Sequence, residues 1–419
     1  MPSDDAVRTS LPQAAAPASG AGTVSDSRTV SDSRTVSAYR PLADRHPHDR
    51  HPRDPRPHDR HPHDRHPHHR LRLAVGLFFL SPLIGEFLLG NQPVTALPSV
   101  LILAPMYGGG AVLIRECARR LGRGWPTMIV LAAAYALVEE GPIDQMLWNP
   151  HYGGFDMAGA YAGTYVPFLG TSVGMVEDVL SIHTVWSVCV PIALVETFAR
   201  DSAERPRPWL GNIGLPLVAV AFVADSLFLA VAQQHSEHFT ASPVQLLGCG
   251  AVILVLIALA LTLPARPAIR PAARTPRPWL VGVMAFAATS LYWARDGLLP
   301  SGVPDWIDPA LWLLAVAAFV CLALRWSRSP AWSAAHRFAL AAGAVLTYAW
   351  VGFTQSPTLD VSLSLALTGS AVFALAALVL LGAAARALTR RATPGRPAPR
   401  NAGTPAESAA DRESTAPTR

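Results

Sequence analysis

The sequence predicts an all-α polytopic membrane protein. The expected architecture is a transmembrane helix bundle of about ten spans, with both termini cytoplasmic and disordered polar tails. Three observations predict it. Of 419 residues, 51% are hydrophobic and only 15% are charged, whereas soluble domains carry about a quarter charged residues. The charge is uneven: residues 1–70 and 392–419 are polar, and the stretch between them is very apolar. Runs near the ~20 residues that cross a bilayer core recur along that stretch, and Arg alternates between the loops joining them. One large soluble enzyme, a fibrous protein and a wholly disordered chain are excluded. So is a disulfide scaffold, because Cys117, Cys189, Cys249 and Cys321 lie far apart in or beside apolar runs. All 34 basic residues are Arg, and the net charge of +5 reflects their placement in loops. No nucleic-acid partner is expected, and the partner implied is the lipid bilayer.

Four regions follow: a tail over 1–70, a membrane bundle carrying the polar residues over 71–240, apolar membrane helices over 241–391, and a second tail over 392–419. In the first tail Ser25–Val30 repeats at once as Ser31–Val36, and Arg45–Asp49 recurs in drifting form up to His69. The segment holds nine of the fourteen His. So polar and Pro-rich a stretch cannot bury enough apolar surface to offset ordering. It is no signal peptide, for its charged part is too long and no small-residue cleavage site follows the first apolar run. Clustered imidazoles are metal ligands, yet a solvated spacer explains the tract as well.

The expected spans lie near Leu71–Gly90, Val94–Ile114, Thr127–Leu147, Val176–Phe198, Leu210–Ala232, Pro243–Leu263, Trp279–Ala294, Ile307–Trp326, Ala335–Phe353 and Asp360–Ala385. The loops after even-numbered spans carry fourteen Arg, and those after odd-numbered spans carry one, Arg295. Positive charge stays on the inner side, which places both termini in the cytoplasm. The expected location is the bacterial cytoplasmic membrane. Trp125, Trp148, Trp209, Trp279, Trp306 and Trp326 sit at span ends, as an interfacial belt requires.

An ionisable group inside the bilayer costs about 2.5–3.5 kcal/mol and marks a candidate site. Such groups gather in the first five spans: Glu86, then Glu139, Glu140 and Asp144, then Glu177, Asp178 and His183, then Asp225. The strongest signal is Glu139-Glu140-Gly141-Pro142-Ile143-Asp144. Two adjacent carboxylates in an apolar helix cannot both be comfortably ionised. Glu140 and Asp144 share a helix face, while Glu139 is expected to point about 100° away. Pro142 frees the carbonyl of Val138 and is expected to kink the helix. Packing glue is the competing explanation for the pair. Glu177 and Asp178 are expected to cap the fourth span, where the dipole favours anions. Asn149–Met175 carries six Gly, five Tyr or Phe and one charge, Asp156, which suggests a segment lying over the polar cluster. His151, His235 and His238 are placed to reach the same mouth, though exposed loop histidines are the simpler expectation.

Glu139-Glu140, followed by His183 in a later helix, resembles the CPBP intramembrane proteases, the CAAX prenyl proteases and bacteriocin-processing relatives. The resemblance implies a fold of membrane helices in which Glu139 or Glu140 and His183 activate water for peptide hydrolysis. It covers about residues 127–240. The chain departs from the family's pattern at Asp144, where Arg is expected, and at Val179, where Phe is expected, and no third His lies in the interior of a later span. Leu80–Gly90 with Tyr107–Glu116 (YGGGAVLIRE) also looks like an uncharacterised family of bacterial multi-pass membrane proteins.

The activity the sequence favours is a membrane-embedded hydrolase with Glu139, Glu140 and His183 as catalytic residues, Glu139 or Glu140 acting as base and His183 assisting. Asp144, Glu86 and Asp225 are candidates for binding substrate or an ion. The alternative is a proton- or cation-coupled transporter loading the same carboxylates, and a further one is a non-catalytic assembly partner whose polar residues join helices. No phosphate-binding loop or H-E-x-x-H is present, so no cofactor or metal is specified by a motif.

Overall fold

The computed structural model describes residues 67–199, 207–264, 269–270, 274–300 and 302–392. The expectations for the two tails lie outside the described residues, except that Pro67–Arg70 already belong to the first helix. Helix α1 (Pro67–Pro82) continues through a π-helical turn, Leu83–Leu88. A 3-10 turn, Val94–Ser99, leads into α2 (Val100–Arg120). Helix α3 (Trp125–Val138) runs into a second π turn, Glu139–Ile143. The connection that follows holds the short helix α4 (Met157–Tyr161) and a two-stranded antiparallel ribbon, β1 (Tyr165–Val166) with β2 (Thr171–Ser172). Helix α5 (Val173–Ile182) passes through a third π turn, His183–Cys189, into α6 (Val190–Glu196). The remaining helices are α7 (Gly214–Glu237), α8 (Pro243–Thr262), α9 (Pro278–Leu298), α10 (Ile307–Ser327), α11 (Ala334–Gln355) and α12 (Leu363–Ala392).

The protein is therefore an all-α, multi-pass membrane bundle. Among the described residues, eight helical runs are long and apolar enough to cross a membrane: His68–Leu88, Val94–Arg120, Val173–Glu196, Gly214–Glu237, Pro243–Thr262, Ile307–Ser327, Ala334–Thr358 and Leu363–Arg391. The third and seventh expected spans are helical as well, but they are not among the eight. Glu139, Glu140 and Pro142 dilute the first of these, and the Thr, Ser, Trp and closing Arg295 of α9 dilute the second.

Helix α2 is the hub of the first half because three successive glycines let other elements close on it. A Cβ on Gly108 would collide with the backbone of Phe78 in α1. One on Gly109 would touch Phe222 of α7 at 3.4 Å, and one on Gly110 would press into the Tyr135 ring of α3. Small residues at such crossings permit the close packing that holds membrane helices together. In the second half Gly343 of α11 meets the Gly282 carbonyl of α9 in the same way, with 2.6 Å from its would-be Cβ. Beside this crossing Thr289 and Thr347 hydroxyls bond at 2.6 Å, and Trp350 donates to Ser290 at 3.1 Å.

Residues on both sides of position 240 share hydrophobic clusters. Cys249 and Ile253 of α8 pack with Ala134 and Leu137 of α3. Trp186, one turn beyond His183, stacks on Tyr348 of α11 at 4.4 Å and donates to the Ala344 carbonyl at 2.8 Å. By contrast, α7, α8 and α10 turn Leu217, Leu227, Val252, Leu254, Leu311 and Leu314 outward. In a bilayer such a surface is solvated by lipid chains and carries no penalty.

The glycine crossing yields a direct expectation. Gly108→Ala should lower the thermal stability of the detergent-solubilised protein by about 1–3 kcal/mol, the usual cost of overpacking. Gly250→Ala, where a Cβ meets nothing within 4 Å, should leave it unchanged. Equal melting temperatures for the two variants in a fluorescence melt would rule out the close crossing.

Candidate functional site: a histidine between two carboxylates

The three π turns meet. His183 opens the third, Glu139 and Glu140 open the second, and Glu86 lies in the first. A π turn inserts one extra residue per turn and is frequent at functional sites. Here Asp144 N–H donates to the Glu139 carbonyl at 2.8 Å, five residues back. The expected kink at Pro142 is realised as this wide turn.

The His183 ring sits between the two glutamates. Its Nδ1 lies 2.9 Å from Glu139 Oε2, and its Nε2 lies 2.7 Å from Glu140 Oε1. All three side chains are buried. The expectation that Glu139 points away from Glu140's face is corrected. Imidazole presents nitrogens on two edges of its ring, and each of two flexible glutamates reaches one. Ser187 Oγ lies 3.2 Å from Nδ1, and the Ser81 hydroxyl donates to the Ser187 carbonyl, so α1 and the third π turn hold the ring together.

Further acidic and phenolic groups surround this trio. Tyr107 of α2 donates to Glu86 Oε1 at 2.5 Å. Glu86 lies within electrostatic reach of Glu139, His183 and Glu140. The Tyr135 hydroxyl lies beside Glu139, and Asp144 feels Glu140, Glu139 and His183. Four carboxylates thus share one imidazole, and among the described residues no Arg pairs with any of them. Glu140 Oε2 has no hydrogen-bond partner among these residues. One donor atom each from Glu139, Glu140 and His183 lies within 4.8 Å of the others, a spacing compatible with a metal ion.

The connection over 149–175 reaches this group through Tyr152, which donates to Asp144 Oδ2 at 3.2 Å and accepts from Gln233 at 2.7 Å. Burial, then the neighbouring Asp144 charge, push the Tyr152 phenol well above its usual range, so it stays a donor. Asn149 and Gly153 N–H anchor the same segment to Glu237 of α7, at 3.2 and 3.0 Å.

Asp225, expected as a binding residue, does not join the trio; it faces α2 and interacts with the backbone of Met106. His151, His235 and His238 are exposed and likewise stand outside it. Glu177 and Asp178 are not the cap of α5. Ser172 caps it, accepting from Met175 N–H at 2.9 Å. Asp178 lies a turn further in, where it accepts from Tyr161 and Tyr292 at 2.6 Å each and from Arg295 at 2.5 Å. Arg295 also binds Asp308 at 3.0 Å and lies over the Tyr292 ring. This clasp ties α5, α9 and α10 together.

Sequence reasoning passed over Glu196, Glu116 and His336. Arg119 grips Glu196 with two bonds of 2.8 Å, and Arg115 lies between Glu116, at 2.6 Å, and Glu196, at 3.3 Å. Glu116 in turn accepts from the N–H groups of Trp209 and Leu210, at 2.8 and 3.0 Å. His336 is buried at the start of α11, with Nε2 at 3.1 Å from the Pro276 carbonyl. The Arg-Glu sequence in YGGGAVLIRE was the available signal for the first network. A single Glu at a span end gave none for Glu196.

Fold and site together define a multi-pass helical membrane protein with a buried carboxylate–imidazole centre. Residues 76–391 match the model of an uncharacterised membrane protein family, and the chain belongs to that family. No curated protein and no solved structure matches it. The likeness to the CPBP proteases accordingly rests on Glu139, Glu140 and His183 alone.

Asp178→Ala should remove three donors' acceptor at once and lower stability by about 2–3 kcal/mol, the range for hydrogen bonds to a charged group. Asp360→Ala, at an exposed position, serves as the control in the same thermal melt. A null result for Asp178→Ala would show that the clasp contributes nothing.

Proposed function

We propose that the protein is a membrane-embedded hydrolase of the bacterial cytoplasmic membrane, with Glu139, Glu140 and His183 as its acid–base centre. The observation that carries the reading is the His183 ring held between two carboxylates in a helical core. A water molecule at the open Oε2 of Glu140 would lose a proton to that carboxylate as it attacks a carbonyl carbon. Imidazolium at His183 would give its proton to the departing group, which closes the proton count. The Tyr135 hydroxyl beside Glu139 would be a donor to the oxyanion. Asp144, with Tyr152 above it, would exchange protons with the outer side.

A proton-coupled transporter is the second reading. The crowding of Glu86, Glu139, Glu140 and Asp144 around a single imidazole favours it, because such a group holds protons in the membrane. The two readings separate on one measurement. Proteoliposomes are given a mixed peptide pool in water enriched in oxygen-18. A hydrolase places the heavy oxygen in a new carboxylate, detected by mass spectrometry, and Glu140→Gln or His183→Gln should reduce the rate at least 100-fold, since acid–base groups contribute about 10²–10⁴-fold. Substrate-driven acidification of the vesicle lumen without labelled product would overturn hydrolysis in favour of transport. Full labelling by both variants would remove the site.

The same reading includes ten crossings with both termini in the cytoplasm. The uneven Arg content of alternate loops supports it, as does the helical state of α3 and α9. Reporter fusions should show outer exposure after Trp148–Met175, Gln233–Ser242 and Gln355–Leu359, and none after Arg119, Arg205, Arg270 or Arg328. Two or more reversed loops would refute this topology.

A further inference from the structure

We propose that Glu139, Glu140 and His183 bind one divalent transition-metal ion, of the zinc or manganese class. Three independent features point to it. The first is geometry: the three donor atoms lie within 4.8 Å of one another, and a tetrahedral ion with bonds of about 2.0–2.1 Å holds its donors about 3.3–3.4 Å apart. The Nε2–Glu140 pair, 2.7 Å apart, opens by several tenths of an ångström to admit it, and the Glu139 carboxylate, 2.9 Å from Nδ1 on the other edge of the ring, swings toward the ion.

The second is charge. Glu86, Glu139, Glu140 and Asp144 surround a single imidazole, with no Arg pairing them among the described residues. Carboxylates removed from water take up protons, pair with a cation or coordinate a metal, and a doubly charged ion offsets more charge than an imidazolium does. The third is unpartnered ligand atoms: Glu140 is 4% exposed and Glu139 fully buried, and among the described residues neither Glu140 Oε2 nor Glu139 Oε1 has a hydrogen-bond partner.

The donor types select the ion. One imidazole nitrogen and carboxylate oxygens suit zinc, manganese or iron. Calcium takes six to eight oxygens, more than these residues offer, and copper(I) prefers the sulfur ligands that the trio lacks. His183 would bind through Nε2, the nitrogen beside Glu140, and Glu139 would turn from Nδ1 to the ion, while Ser187 Oγ, 3.2 Å from Nδ1, holds the ring and its tautomer. Such an ion leaves a coordination position open to water. What it would do there rests on the hydrolase reading, whereas its binding does not.

The test uses the full chain in detergent, stripped with a chelator, reloaded with zinc and gel-filtered, with the bound metal counted by mass spectrometry. Nine histidines of the N-terminal tail are alternative ligands, so the readouts must be local. His183→Gln and Glu140→Gln should each retain about one zinc per chain less than wild type, and His235→Gln should retain as much as wild type. X-ray absorption of wild type carrying one zinc should show a single imidazole in an otherwise oxygen shell. Equal retention by wild type and His183→Gln would overturn the proposal. So would several imidazoles around the ion, which places it on the tail, and this spectrum decides the matter even where a variant fails to fold. Labelled product from metal-free protein would leave the hydrolase standing, and bound zinc without labelled product would remove only the hydrolase.

Discussion

Ionisable groups inside a hydrocarbon layer persist only where other protein groups answer them, and among the described residues the contact of His183 with Glu139 and Glu140 is the centre of one such group. Both ring nitrogens are taken, at 2.9 and 2.7 Å, by carboxylates from a different helix. The backbone is shaped around that contact. Each of the three helical runs that supply Glu86, the glutamate pair and His183 widens into a π turn at the relevant residue. Such turns strain the regular hydrogen-bond ladder and are retained where they place a side chain that a regular helix would not.

The remaining helices divide into those that build this centre and those that enclose it. Helix α2 brings Tyr107 to Glu86, and the three glycines after Tyr107 let α1, α3 and α7 approach at that level. At its far end the Arg115, Arg119, Glu116 and Glu196 network fixes α2 to α6 and to the chain entering α7. Helix α11 anchors Trp186, and through it the π turn that carries His183. Helices α7, α8 and α10 present mostly apolar outer faces, which suits elements bounded by lipid.

Two acidic groups, both in the bundle's first half, play different parts. Among the described residues the pair at 139–140 meets one imidazole and no Arg, so no fixed cation is paired with it. Asp178, only five residues before His183, meets Arg295 and two tyrosines and is fully answered. A carboxylate held by a fixed cation is a structural tie, and carboxylates that share a single imidazole are where a proton, an ion or a reacting group gains most by binding. That contrast is what sets the trio apart from the clasp.

The sequence by itself determined the membrane class, the helical runs and the two most informative places along the chain, the acidic pair and His183. These follow from composition, from the length of apolar runs and from the cost of charge in a bilayer, all of which act along the chain. Only the tertiary structure decided which groups meet. Helical periodicity set Glu139 and Glu140 on different faces, yet long side chains, a wide turn and a ring with nitrogens on two edges bring both to His183. Glu86 and Asp225 looked equivalent as solitary acids, and packing sent the first toward the trio and the second to the backbone near Met106. Asp178 looked like a helix cap because its partners, Tyr292 and Arg295, lie more than a hundred residues away. Contacts between distant segments depend on how helices cross, and crossings are set by many small side chains together rather than by any local pattern.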